Sequence, residues 1–158
     1  MSADQHVQSF SHVGICVTNI ERSKRFYCEG LGFSEGVLLH TDDQYHALLG
    51  IPEKLMMHNQ FIRRGQMMLE LIQFDLPALL PGPALRSLNQ LGLTHLSFRV
   101  ADINIVSKSL ESLGGKILHD TRVTMSLAEN VSGEIIMCTD PDGTRVELMH
   151  FPDSVAFA

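Results

Sequence analysis

The chain is poor in several things, and each shortage excludes something. It has three cysteines, Cys16, Cys28 and Cys138, odd in number and widely scattered. They read as free thiols of a reducing cytoplasm rather than a disulfide framework. Positive charge is scarce: 12 lysines and arginines against 18 aspartates and glutamates leave a net charge of −6, with no basic cluster. That balance has no electrostatic footprint for nucleic acid, so no such partner is expected. No stretch approaches the ~18 consecutive apolar residues of a membrane span, and no membrane association is expected. Met1 to Gln8 has neither a basic region followed by an apolar one nor a cleavage signature, so the expected location is cytoplasmic. What remains is 158 residues with 44% hydrophobic and 19% charged content. This is enough for one globular domain, or for two small modules sharing a core.

Apolar and polar residues alternate from Phe10 to Val17, putting Val13, Ile15 and Val17 on one strand face and His12, Gly14 and Cys16 on the other. Thr18 to Glu21 has capping-box spacing with Thr18 as N-cap, and a helix is predicted to about Gly30. Strands are predicted at Phe33–His40, Lys54–Arg63 and Gln66–Phe74, with a polar, partly helical excursion over 41–50. A zone rich in Pro77, Pro81, Gly82 and Pro83 follows, then a short helix signalled by Leu85, Leu88 and Leu91.

The pattern then begins again. Thr94 to Val100 is a strand with His95, Ser97 and Arg99 on one face, and Asp102 caps a helix stopped by Gly114-Gly115. Lys116–Thr121, Gly133–Thr139 and Thr144–Phe151 supply three strands, with 122–132 read as a loop. Placing His12 over His95 also superposes Val17 on Val100 and Gly32 on Gly115. The fold class is therefore α+β: two tandem βαβββ modules at 8–76 and 94–152, joined by a linker at 77–93. Neither unit is large enough to bury its sheet alone.

Each module carries one histidine on its first strand and one glutamate on its last: His12 with Glu70, His95 with Glu147. Glu70 stands inside the apolar run Met67 to Ile72, where an unpaired carboxylate is costly to bury and a cation removes the cost. Two imidazoles and two carboxylates suit a borderline divalent ion: Zn, Ni, Co, Mn or Fe. For either pair alone, a surface histidine beside a salt-bridged glutamate is the competing reading; recurrence in both modules favours metal. Arg99 and Arg145 share faces with His95 and Glu147 and could meet a substrate anion or pair with the glutamates. Ser97, Met68, Met125 and Met149 are further candidates for the pocket lining. His6, His40, His46, His58, His119 and His150 read as solvated or core-edge residues.

The duplicated unit, His-Val-Gly-Ile-Cys-Val, Thr-His-Leu-Ser-Phe-Arg-Val and Asp-Pro-Asp-Gly-Thr-Arg-Val-Glu-Leu together resemble the vicinal oxygen chelate superfamily, over Phe10 to Phe151. That superfamily includes glyoxalase I, methylmalonyl-CoA epimerase, extradiol dioxygenases, fosfomycin-resistance enzymes and bleomycin-binding proteins. The resemblance implies a curved mixed sheet around a metal site, with ligands at His12, Glu70, His95 and Glu147. It implies a small-molecule carbonyl substrate chelated through two oxygens; a homodimer is expected because paired units leave open sheet edges. Turnover would be isomerase, epimerase or lyase chemistry through an enediolate, with Glu147 as first base and Glu70 as its opposite partner. Glutathione-type glyoxalases carry arginine and asparagine where this chain has Cys16 and Phe74, so glutathione specificity is not expected. An Fe(II) extradiol-type dioxygenase and a sequestering, resistance-type binding protein are the alternatives.

Overall fold

Alternation builds the strands of this protein, and two capped starts build its main helices. The computed structural model describes residues 3–80, 82, 85–128, 131–153 and 155. The first half runs β1 (Val13–Cys16), α1 (Ile20–Arg25), β2 (Ser34–Asp42), α2 (His46–Leu49), β3 (Met56–Arg64) and β4 (Met67–Leu76). The second runs β5 (Leu96–Arg99), α3 (Ile103–Ser112), β6 (Lys116–Ala128), β7 (Val131–Thr139) and β8 (Arg145–His150). Each half forms a four-stranded mixed sheet, in the orders β1-β4-β3-β2 and β5-β8-β7-β6. In each, the first strand lies parallel to the last. The architecture is the α+β pair of tandem βαβββ modules that the repeat implies.

The same offset that superposes the two histidines superposes the two helix caps. Asn19 accepts from the Arg22 amide at 2.8 Å, and Asp102 accepts from the Asn104 and Ile105 amides at 2.7 and 3.0 Å. Each satisfies amides that the first helical turn leaves unpaired. The expected cap, Thr18, is displaced by one residue. Its amide and hydroxyl instead donate to Asp142, at 3.1 and 2.6 Å, in the turn before β8. A long-range carboxylate has captured the group that local spacing assigned to the helix.

Two other expectations are corrected. Residues 85–93 form turns and bends rather than a helix, and Leu85, Leu88 and Leu91 are exposed. With no neighbour to bury that apolar stripe, a helix there has nothing to stabilise it. The loop expected at 122–132 is largely strand: β6 continues to Ala128, which pairs with Val131 in β7. Pro81, Pro83, Glu129 and Asn130 lie outside the described residues.

The core lies between the two sheets. Phe26, Tyr27 and Leu31, just after α1, pack with Ile103 and Leu110 of α3. Against them stand Ile15, Leu69 and Leu71 from one sheet and Ile136, Val146 and Leu148 from the other. Gly30 permits the close crossing, since a Cβ there would meet Leu110 Cδ2 at 2.6 Å. The Tyr27 hydroxyl donates to the buried Asp140 at 3.0 Å across the modules, and Arg22 pairs with Asp142 at 2.6 Å. Both sheets thus spend their apolar strand faces on one shared interior. The opposite faces, which carry the histidines and glutamates, turn away from it.

Candidate metal centre

Parallel pairing sets the first half-site. Gly14 lies beside Glu70 in the β1–β4 register, and His12 precedes β1 by one residue. The His12 Nε2 atom stands 3.2 Å from Glu70 Oε2. The ring is held from two sides: Ser11 Oγ lies 2.9 Å from Nδ1, and Phe61 packs edge-on at 5.3 Å between centroids. Glu70 is held as well. The buried Asn59 donates to its Oε1 at 2.8 Å and accepts from Thr41 at 2.9 Å, leaving Oε2 turned to the imidazole. Gly14 leaves room for this, because a Cβ there would crowd Ile72 at 3.2 Å and reach Glu70 Oε2 at 3.7 Å.

The second half-site repeats the plan with a different support. Ser97 lies beside Glu147 in the β5–β8 register. His95 Nε2 stands 3.6 Å from Glu147 Oε2, and Ser97 Oγ donates to that same oxygen at 2.6 Å. The His95 Nδ1 atom is buried without a hydrogen-bond partner among the described residues. The first glutamate is therefore steadied from the β3 flank, the second from the β5 flank.

The donor set fits a divalent transition ion. Bonds of about 2.1 Å at right or tetrahedral angles place neighbouring ligand atoms about 3.0 to 3.4 Å apart. The His12–Glu70 separation, 3.2 Å, falls within that edge length, and the His95–Glu147 separation, 3.6 Å, lies just beyond it. The structure brings the four residues together as two pairs and not as one set. Among the described residues, no group of three or more histidine, cysteine, aspartate or glutamate side chains could hold a metal ion.

The remaining candidates separate clearly. Ser97 touches Glu147 and also Met149 Sδ at 2.9 Å. Arg99 is committed to the C-terminal segment, donating to the carbonyls of Phe151, Pro152 and Val155 at 2.7–3.0 Å. Met68 and Arg145 share the faces of Glu70 and Glu147 respectively, two residues away on the same strands. The Cys16 thiol is pushed up by burial and then by the Asp142 charge. His40 and His58, read as solvated, have Nδ1 atoms 2.7 Å apart, and His58 Nε2 lies 2.7 Å from Asp75. His58 pairs with Gln73, whose side chain accepts from the Ile20 amide of α1, so this trio belongs to the helix-side face. Sequence reasoning missed Asn59 and Thr41. The alternation of β3 puts Asn59 on the Glu70 face, but nothing local shows that it reaches across to the next strand.

Known proteins share this architecture. A glyoxalase family protein from Bacillus cereus superposes with a TM-score of 0.76 at 16% identity, covering 92% of this chain and 95% of the other. The fosfomycin resistance protein FosX of Listeria monocytogenes, in a structure complexed with Mn(II) and sulfate, gives 0.54 at 13% identity, with coverage of 94% and 96%. In sequence, the chain is 29% identical over 140 residues to the YaeR protein of Escherichia coli (strain K12), spanning 87% of this chain and 92% of that one. The family model of the glyoxalase, bleomycin resistance protein and dioxygenase superfamily matches residues 9–148, and this chain belongs to that superfamily.

Proposed function

We propose that this protein is a metal-dependent isomerase, epimerase or lyase of the glyoxalase type, acting on a carbonyl substrate that presents two neighbouring oxygens. The observation that carries the reading is the paired geometry: one histidine and one glutamate per module, 3.2 and 3.6 Å apart, on faces that the shared core leaves free. His12, Glu70, His95 and Glu147 would hold the ion. When bound, it would act as a Lewis acid toward the two substrate oxygens and stabilise the negative charge that builds there. Membership of a superfamily with a Mn(II)-complexed neighbour supports a divalent ion.

The chain's own residues supply the rest. Glu147, steadied by Ser97, is the base that takes the proton α to the carbonyl; Glu70 is its counterpart on the other half-site. Placing a base in each module suits removal of a proton on one face and its return on either. Because each module presents only one pair, the reading includes a homodimer in which the first half-site of one copy meets the second half-site of another.

Elemental analysis of purified protein, followed by solvent-deuterium exchange into α-keto and α-hydroxycarbonyl compounds, tests the proposal. The expected result is a stoichiometric transition metal and metal-dependent exchange at the α carbon. Oxygen consumption with catechols in place of exchange would assign the dioxygenase reading instead. Tight binding of a ligand with neither metal nor turnover would assign the sequestering one.

A further inference from the structure

Beside the first half-site, the outward face of the β1–β4 sheet is hollowed into two chambers with a common wall. One, of about 280 Å³, has His12 and Glu70 at its base and Leu48, Leu49, Met57 and Ile72 around them. The other, of about 500 Å³, is lined by Cys16, Ile51, Pro52, Leu79 and Leu80. Phe74 borders both. The larger chamber falls within the size range of small-molecule sites and the smaller lies just under it; such sites are mostly apolar with a few polar groups that fix orientation.

What lines the trough sets what can occupy it. Among the described residues, neither chamber is lined by a lysine or an arginine; the ionisable carboxylates are Glu70 in one and Glu53 in the other. In the second chamber, away from His12 and Glu70, a carboxylate, phosphate or sulfonate would give up hydration with no lysine or arginine to replace it. The outer wall is the segment between β2 and β3, and its Leu48 is 77% exposed; Leu80, on the other rim, is 90% exposed. Apolar side chains left in water around a hollow mark a surface awaiting apolar contact. Strand geometry gives the reach: Cys16 lies four residues along β1 from His12, and Phe74 four along β4 from Glu70, each about 13 Å.

We infer that the trough holds an uncharged, hydrocarbon-rich group of the substrate, with the two oxygens at the His12–Glu70 end and the apolar tail running past Phe74 toward Ile51 and Leu79. This rests on the metal-dependent reading above for the identity of the head group, while the tail site stands on the cavity itself. It separates this chain from any member that takes an anionic tail on its first module.

The test uses full-length, metal-free protein and the neutral fluorophore N-phenyl-1-naphthylamine. Displacement by 2,3-diketones of increasing chain length should tighten about fourfold per added methylene, until the second chamber is full. The anionic carboxylates of matching length should compete at least tenfold more weakly. Phe74→Arg should weaken probe binding tenfold or more. Ile51→Arg, on a loop outside the buried core, should do the same and guards against misfolding of the first variant. Metal titration of both variants should match the wild type.

Affinity independent of chain length, preference for the carboxylates, or unchanged probe binding in both variants would overturn the inference. So would probe affinity that falls as protein concentration rises, which would mean that a second copy fills the trough. Failure of metal binding with the chain-length series intact would remove the proposed reaction and leave the apolar site established.

Discussion

Asn59 donates to one oxygen of Glu70 at 2.8 Å while the other oxygen faces His12 at 3.2 Å. The amide and the imidazole thus divide the carboxylate between them. A neighbour of this kind fixes ligand orientation and typically accounts for about 10- to 100-fold in metal affinity. Asn59→Ala is expected to weaken divalent metal binding by that factor, measured by competition with a chromophoric chelator. Unchanged affinity would show that Glu70 needs no support.

Glu147 is the proposed base, and Gln keeps its shape and its contact with Ser97 while removing the basic oxygen. Glu147→Gln should lower turnover by about 100- to 10,000-fold. Much of the metal should stay bound, held by the three other side chains. Retained turnover would assign the proton transfer elsewhere.

If two copies complete each site, complementation follows from symmetry. A His12→Ala chain retains an intact second half-site, and a His95→Ala chain an intact first one. Each homodimer should be inactive. A mixed dimer regains one whole site, and with it about half of the wild-type activity. Mixing that restores nothing would mean that the four residues do not meet across a two-fold axis.

Asp142 joins the modules by accepting from the Thr18 amide and hydroxyl and from Arg22, the last at 2.6 Å. It also sits in the turn that leads into β8 and so into Glu147. Asp142→Ala removes the acceptor of the Thr18 amide and hydroxyl and of Arg22. Arg22 is about half exposed, which discounts the ion pair. A loss of about 1–3 kcal/mol is expected from the midpoint of urea unfolding.

The wall of the apolar trough depends on pH through one pair. His46 Nδ1 lies 2.6 Å from the Ile51 carbonyl and its Nε2 3.0 Å from Asp43. That carbonyl, and then Asp43, raise the imidazole above its ordinary 6.5. The Leu55 amide, and then His46, lower Asp43 below its ordinary 3.8. A raised base stabilises fully below its unfolded value and less as pH climbs through the folded one; a lowered acid stabilises above its unfolded value. The clasp is therefore complete between about pH 4 and 6.5 and weakens above that range. Amide exchange over 46–55, corrected for intrinsic rate, should be better protected at pH 5.5 than at pH 8.5. His46→Ala should erase the difference.

Much of this protein is legible in its residues. The repeat marks two modules because alternation and capping are local, and Asp102 caps α3 as its spacing indicates. The pairing of each histidine with its glutamate is also legible, since side-chain direction in a strand follows from parity alone. Local rules failed where distant groups competed. Thr18 was drawn from its helix by Asp142, 124 residues away. The leucines at 85, 88 and 91 had the spacing of a helix but no surface to pack on. Nor could sequence show Asn59 reaching Glu70, because contacts between neighbouring strands depend on register.

The sequence by itself determined that each module carries one histidine on its first strand and one glutamate on its last, the four side chains proposed as metal ligands. Only the tertiary structure decided how the modules face. Helices from both halves fill one interior, because each sheet has a single strongly apolar strand face and both are buried together. Burial of those faces turns the histidine–glutamate pairs outward, one on each side of the shared core, beside an apolar trough that no local pattern announced.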